Sequence, residues 1–304
     1  MAPMDHKHLE LLREIAAWGT LAAVAEATRR SPSAVSQQLR AAERDFGVKL
    51  VEPAARSVRL TPEGELLAAG AEEISLKMAQ LRAQLDARSG EPAGTVVIGT
   101  LPSAGEALLP GLIRRLANTD IQLQLDDFDL AEADFAARAH DADIVIAHSL
   151  SGDVPAGAGG LVSTVIGEEP LVAALPSGHR LADAERIGPQ EASQMEWIGV
   201  PKGYPFDTVL TAFEAQAQAP VRRHLRLRDN RLIEALVASG VGPALLPGFT
   251  TAPRHDLVLR PLTGVQSVRR VVALSRPDRR ARLAVSTVVQ MLRESASDLT
   301  DQMN

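Results

Sequence analysis

Residues 31–47 read Ser-Pro-Ser-Ala-Val-Ser-Gln-Gln-Leu-Arg-Ala-Ala-Glu-Arg-Asp-Phe-Gly. Ser31 suits an N-cap, because its hydroxyl can take an N–H that the first helical turn leaves unpaired, and Pro32 suits the first helical position. Val35, Leu39 and Ala42 recur at spacings of four and three, which places them on one side of a helix that Gly47 can close. On the other side fall Ser33, Ser36, Gln37, Arg40 and Arg44. Upstream, Leu9, Leu12, Ile15 and Ala16 keep helical spacing over 5–18, Gly19 ends that helix, and Thr20 caps a second from Leu21 to about Thr28. Three short helices with a tight turn between the last two form the helix-turn-helix pattern. Downstream, residues 48–61 alternate and contain Pro53, and Val58 to Thr61 read as a short strand, a wing.

The polar face of the third helix has a chemistry. Gln can pair bidentately with adenine and Arg with guanine in the major groove. The hydroxyls of Ser31, Ser33 and Ser36 and the helix N-terminus suit phosphate oxygens. Five polar residues on a helix face are ordinarily just solvated. Their place on the last of three helices, followed by a wing, points instead to double-stranded DNA.

Thr61-Pro62-Glu63 opens a long helix that runs to about Arg88. Along it Leu67, Ala71, Ile74, Met78, Leu81 and Leu85 follow at four, three, four, three and four, a heptad seam suited to a dimer contact. A core stripe would give part of the same pattern. Ser89-Gly90-Glu91-Pro92 breaks the helix. Beyond it strands at 95–99, 121–125 and 143–146 alternate with helices at 104–117 and 131–139. The rhythm returns at 162–175, 196–199, 206–218, 222–227, 231–239 and 243–246. Such alternation predicts α/β layers with largely parallel sheets, and the length favours two subdomains. Residues 152–160, rich in Gly and Ala, read as a surface loop.

Composition bounds the chemistry. The 304 residues are 45% hydrophobic and 23% charged but only 3% aromatic, so the cores must be built from Ala, Val, Leu and Ile. There is no cysteine, which excludes disulfides, thiolate metal sites and a cysteine redox sensor. The seven histidines show no HExxH pair. His6 and His8 could share a metal, but a solvated helix is the better reading, and neither a metal nor a cofactor is expected. The N-terminus carries no apolar signal segment. The charge-free run 235–253 is interrupted by Pro243, Pro247 and Pro253, which argues against a membrane span and for a cytoplasmic protein. Net charge is −6, yet residues 1–62 hold nine Lys/Arg against seven Asp/Glu, a net of +2, which leaves −8 for the remainder.

The first 62 residues resemble the DNA-binding domain of LysR-type transcriptional regulators. The matching text is Leu9-Glu10-Leu11-Leu12, Gly19-Thr20-Leu21-Ala22-Ala23-Val24-Ala25, Ser31 to Leu39, Phe46-Gly47-Val48-Lys49-Leu50 and Val58-Arg59-Leu60-Thr61-Pro62-Glu63-Gly64, in the family's order and spacing. Weaker landmarks follow: Asp143-Ile144-Val145-Ile146, Glu169 to His179, and Leu236 to Pro247. The family usually has Phe and Arg where this chain has Val51 and Pro53, so the wing's contact with DNA would fall to Arg56 or Arg59.

The resemblance implies an α/β protein with an N-terminal all-α winged helix-turn-helix (1–62), a long linker and dimerisation helix (63–89) and an effector-binding domain (90–304). That last domain would comprise two periplasmic-binding-protein-like α/β subdomains, about 91–164 with 268–304, and about 165–267. It also implies a homodimer or a tetramer of paired dimers, and the dimer in turn an inverted-repeat operator. The implied effector site lies between the halves, at Thr100, Leu101, Pro102 and Ser103, at His148, and at Pro201 to Phe206 with Lys202 and Tyr204. The helix N-terminus after Ser103 could hold an anion, although Ser103-Ala104-Gly105-Glu106 also reads as a capping box. His148 is either a partner in the site or a surface residue. An organic acid or an amino acid is the favoured effector.

Two other classes compete. An enzyme would need a recognisable site, but no P-loop, GxGxxG, GxSxG or metal spacing is present and no catalytic residue is singled out. A cytoplasmic small-molecule-binding protein of periplasmic-binding-protein fold would account for residues 91–304 but not for the N-terminal domain.

Overall fold

The computed structural model describes residues 5–54, 57–128 and 134–303. The chain divides into two compact units, residues 1–90 with 277–283, and residues 91–276 with 284–304.

The first unit opens with α1 (His6–Trp18), α2 (Leu21–Ala27) and α3 (Pro32–Phe46). Asp5, Thr20 and Ser31 cap them by accepting from backbone N–H groups, and Gly19 and Gly47 end α1 and α3 in the left-handed region at φ 67° and 71°. Leu11, Leu12 and Ile15 of α1 pack with Val24 of α2 and Val35, Leu39 and Ala42 of α3. Ala16, expected in that stripe, is exposed, and His8, expected to be solvated, is buried with Nδ1 3.1 Å from Asp45 Oδ2. The reason is the direction of the inward face. His8, Leu11, Leu12 and Ile15 stand at i, i+3, i+4 and i+7, one line along the helix, and Ala16 falls beyond its edge. The wing is a two-stranded antiparallel ribbon, β1 (Val51–Ala54) and β2 (Ser57–Leu60), where the sequence suggests one short strand. Pro53 fits because a two-stranded ribbon leaves open edges that need no ladder N–H.

The linker helix α4 (Pro62–Ser89) starts on Thr61, whose hydroxyl accepts from Gly64 N at 3.1 Å. A Cβ on Gly64 would lie 2.2 Å from the carbonyl oxygen of Leu50, so only glycine lets this turn sit against the wing. The heptad stripe splits along the helix. Leu67 and Ala71 turn inward, whereas Ile74, Met78, Leu81 and Leu85 stand exposed. A one-turn helix from far along the chain, α10 (Pro277–Arg280), packs on α4, with Arg13 Nη1 3.1 Å from Asp278 Oδ2. Residues 277–283 thus leave the subdomain to which the sequence assigns them.

The second unit is a nine-stranded mixed sheet with helices. Its first lobe contains β3 (Ala93–Thr100), α5 (Pro102–Leu116), β4 (Asp120–Asp127), α6 (Phe135–Arg138) and β5 (Ile144–Ser149). Of the helix expected at 131–139, residues 131–133 lie outside those described. The 15-residue β6 (Val162–Pro176) then carries the chain into the second lobe. There follow α7 (Pro189–Ser193), β7 (Glu196–Gly199), α8 (Pro205–Ala217), β8 (Arg222–Arg226), α9 (Asn230–Ala238), β9 (Ala244–Pro247) and β10 (Leu257–Pro261). β11 (Val268–Ser275) returns to the first lobe, and α11 (Leu283–Met303) covers it.

The sheet order is β4-β3-β5-β11-β6-β9-β7-β8, with β10 also on β6. Parallel pairing holds within β4-β3-β5 and β9-β7-β8, but β6 and β11 pair antiparallel with each other and with their other neighbours. The largely parallel sheet expected from the alternation is therefore corrected. Crossing strands that leave one lobe and re-enter it must run against the strands they meet. Each lobe has its own core, one around Ile98, Leu112, Phe135, Ile144 and Leu292, the other around Trp197, Phe213, Ile233 and Leu245.

Candidate DNA-reading face and ligand cavity

The outward face of α3 carries Ser33, Gln37, Arg40 and Arg44, all exposed, with Ser36 half-buried. Gln37 and Arg44 make no side-chain hydrogen bond among those resolved in the described residues, and Arg40 makes one long bond, Nε to Ser36 O at 3.4 Å. Ser31 Oγ is occupied as the cap, accepting from Ala34 N at 3.2 Å, and lies 3.0 Å from Ser33 Oγ. On the wing, Arg59 donates from Nε to Glu52 Oε1 at 2.8 Å across the ribbon. Arg56 lies outside the described residues.

One positioning residue escapes sequence reading. Arg30 donates to Thr28 Oγ1 and to Gln38 Oε1 and pairs with Glu14, while Gln38 Nε2 donates to Lys7 O at 2.7 Å. These bonds tie all three helices together and hold the tilt of α3. Pairing at separations of eight and 16 residues leaves no local sequence signal. Arg29, in the turn before α3, is exposed with φ 54°, a second cation near that helix start.

In the second unit a cavity of about 310 Å³ opens between the two lobes. Leu101, Pro102 and Ser103 line it from the start of α5, His148 from the end of β5, and Tyr204, Pro205 and Phe206 from the start of α8. Leu101, not Ser103, is the N-cap residue of α5, because Pro102 takes the first helical position, so the expected capping box does not form. Neither α5 nor α8 has a side-chain cap, and each begins with proline. Their first-turn N–H groups therefore carry the positive helix end towards the cavity.

The cavity floor is a buried ion pair. Arg269 on β11 is 1% exposed and donates from Nε to Glu169 Oε2 at 2.7 Å, from Nη2 to Ser103 Oγ at 2.9 Å, and reaches His148 Nδ1 from Nη1 at 3.3 Å. Glu169 also accepts from Phe249 N at 3.0 Å through its other oxygen, Oε1. Burial, and secondarily the Arg269 charge, push the His148 imidazole well below its usual pKa, so it is neutral. Sequence reading misses Arg269 and Glu169 as partners, because nothing local marks two strand residues 100 positions apart as an ion pair.

Other expected positions fall differently. Thr100 is buried, its hydroxyl donating to Leu101 O at 3.1 Å, and it does not line the cavity. Pro201 and Lys202 sit on the adjacent turn outside the lining, with Lys202 exposed. At the mouth, Glu106 of α5 pairs with Arg231 of α9, one from each lobe. Arg228 stacks 5.6 Å over the Tyr204 ring and has no carboxylate partner among the described residues.

A DNA-reading head joined by a long helix to a two-lobed receptor with a cavity between its lobes is the build of a ligand-responsive transcriptional regulator. Residues 6–65 match the profile described as bacterial regulatory helix-turn-helix protein, lysR family, and residues 89–297 match the LysR substrate binding domain. The chain belongs to the LysR family of transcriptional regulators, DNA-binding proteins whose activity an effector modulates. It is 25% identical over 283 residues to a probable RuBisCO transcriptional regulator of Synechocystis sp., covering 90% of this chain and 80% of that protein. It is 24% identical over 255 residues to a hydrogen peroxide-inducible genes activator of Pectobacterium carotovorum, covering 83% and 82%. A full-length OxyR variant from Pseudomonas aeruginosa has the same fold, with TM-score 0.67 at 19% identity over 97% of this chain and 95% of that one. No helix among the described residues is long and apolar enough to cross a membrane.

Proposed function

We propose that this regulator reads an inverted-repeat operator with Gln37 and Arg40 of α3, and that a small organic acid in the interlobe cavity sets its activity in the cytoplasm, without catalysis. Ser33, Ser36, Arg44 and the α3 N-terminus contact phosphates, and Arg59 supports them from the wing. The observation that carries the reading is the exposed, unengaged side chain of Gln37 beside Arg40 on the third helix of the winged domain. The exposed seam Ile74, Met78, Leu81 and Leu85 pairs two copies, so that two α3 helices face two half-sites. The effector replaces the redox signal that a peroxide-inducible relative's name suggests, because a chain with no cysteine has no thiol to oxidise.

Binding of Gln37→Ala and Arg40→Ala to specific and scrambled duplexes at matched salt tests the DNA reading. Both side chains are exposed, so folding stability should change by less than about 0.5 kcal/mol. Loss of a bidentate base contact should weaken the specific complex by about 1–3 kcal/mol and relax preference at one position per half-site. Arg44→Ala should weaken both duplexes alike and flatten the salt dependence. Specific binding as tight as wild type in both of the first two variants would remove α3 as the reader.

A further inference from the structure

The cluster on the cavity floor leaves one proton without a destination. Arg269 is a permanent cation and donates from every nitrogen. Its Nη1 lies 3.3 Å from His148 Nδ1, so that ring nitrogen can only accept. A neutral imidazole has a single ring proton, which is therefore on Nε2. Nε2 is buried and has no hydrogen-bond partner among the described residues. The ring is 5% exposed, lines the cavity and packs edge-on against Phe135 at 5.1 Å.

The groups beside it share this polarity. Ser103 Oγ already accepts from Arg269 Nη2 and has its own O–H left to donate. The first turn of α5 adds N–H groups that no side chain caps. The carboxylate on this floor, Glu169, is taken up by Arg269 and Phe249 N. Donors thus converge on this floor, and a carboxylate is the acceptor-only group that answers several donors at once. Its charge suits the α5 N-terminus and Arg228, which has no carboxylate partner among the described residues. Arg269 adds little net charge, since Glu169 neutralises it, and a second carboxylate would meet Glu106 and Asp229. Leu101, Val200, Pro205 and Phe206 add an apolar stretch of wall, while Tyr204 and Asn230 also line the cavity.

We propose that His148 is a specificity-determining residue whose Nε2–H donates to the carboxylate of a compact monocarboxylic acid with an apolar body. This rests on the reading of the cavity as the effector site.

The test uses the full chain with hexanoate, benzoate and phenylacetate, each beside its alcohol counterpart and beside the dicarboxylates adipate and phthalate. Thermal shift and calorimetry should find at least one monocarboxylate that binds while its alcohol and the dicarboxylates do not. His148→Phe keeps the ring packing but loses the N–H and should weaken that acid about tenfold or more, as expected for a lost bond to a charged group. His148→Gln, with an amide donor, should recover part of the affinity. Leu101→Trp fills the cavity and should abolish binding. Histidine side-chain ¹⁵N resonances of the wild type give a readout independent of any variant's folding: Nε2 protonated in the free protein, and its N–H signal displaced by the acid. Binding lost in Leu101→Trp but unchanged in His148→Phe, or an Nε2–H signal the acid does not move, would overturn the role of His148 and leave the effector cavity standing. Binding retained in Leu101→Trp would overturn the cavity itself. Failure of every monocarboxylate at millimolar concentration would overturn the ligand class.

Discussion

Gln38 uses both ends of its side-chain amide inside the fold, accepting from Arg30 and donating to Lys7 O, while Gln37 next to it is left to solvent. The two are identical in the sequence, and only their angle around α3 separates a scaffold residue from a candidate base reader. Arg59 is a further case. Cross-strand register places it opposite Glu52, and the two pair, so that a DNA phosphate would have to displace this carboxylate to engage Arg59. Glu52→Gln removes the competing charge and little volume. Affinity for specific and scrambled duplexes should then rise together by a few-fold, and the dependence on log salt should steepen by up to about one unit. Unaltered binding to both would take Arg59 off the DNA.

At the scale of elements, α4 shows why one periodicity carries two meanings. The first half of its stripe, Leu67 and Ala71, is turned into the winged domain, and the second half stands exposed, from Ile74 at 39% to Leu85 at 58%. The spacing is the same in both halves, so the sequence marks a stripe but does not say what each part touches. Ile74→Asp with Leu81→Asp puts two charges where a second copy would desolvate them, at a cost of several kcal/mol if left unpaired. Sedimentation should show the double variant as a monomer with its winged domain intact, and persistence of the wild-type assembly would move the dimer contact elsewhere. The helix start is more legible. Thr61-Pro62-Glu63-Gly64 reads as a cap and first turn, and the contact of Gly64 with Leu50 O explains why the fourth residue has no side chain.

Across the whole ligand-binding unit, two antiparallel crossings join two separate cores, and the lobes meet over the cavity with Arg269 at the floor and Glu106–Arg231 at the mouth. The mouth pair is exposed on both sides, so its contribution to stability is small, about 0–1 kcal/mol. Its effect should be on access. Glu106→Ala leaves Arg231 with Glu234 alone, and dissociation of any cavity ligand should quicken while Tm shifts little. Stopped-flow exchange of a bound acid measures this, and an unaltered dissociation rate would show that the pair does not govern the mouth.

Local rules suffice for much of this. Caps at Thr20, Ser31 and Thr61, glycine ends at 19 and 47, and apolar spacing along α1 to α4 are all written within a few residues of where they act, because helix termini and helix faces are satisfied by near neighbours. The Leu101–Ser103 loop, His148 and the Tyr204 turn can be placed by resemblance, since they end elements that the strand and helix rhythm already marks. What tertiary structure alone decided is how distant charges and lobes meet. Arg269 and Glu169 are 100 residues apart and become partners only because β6 and β11 cross side by side between the lobes. The antiparallel pairings of β6 and β11 make the sheet mixed, and the Arg269 they position leaves His148 Nδ1 only an accepting role. No periodicity records it, because the bond that matters closes between strands whose order in the sheet is not their order in the chain.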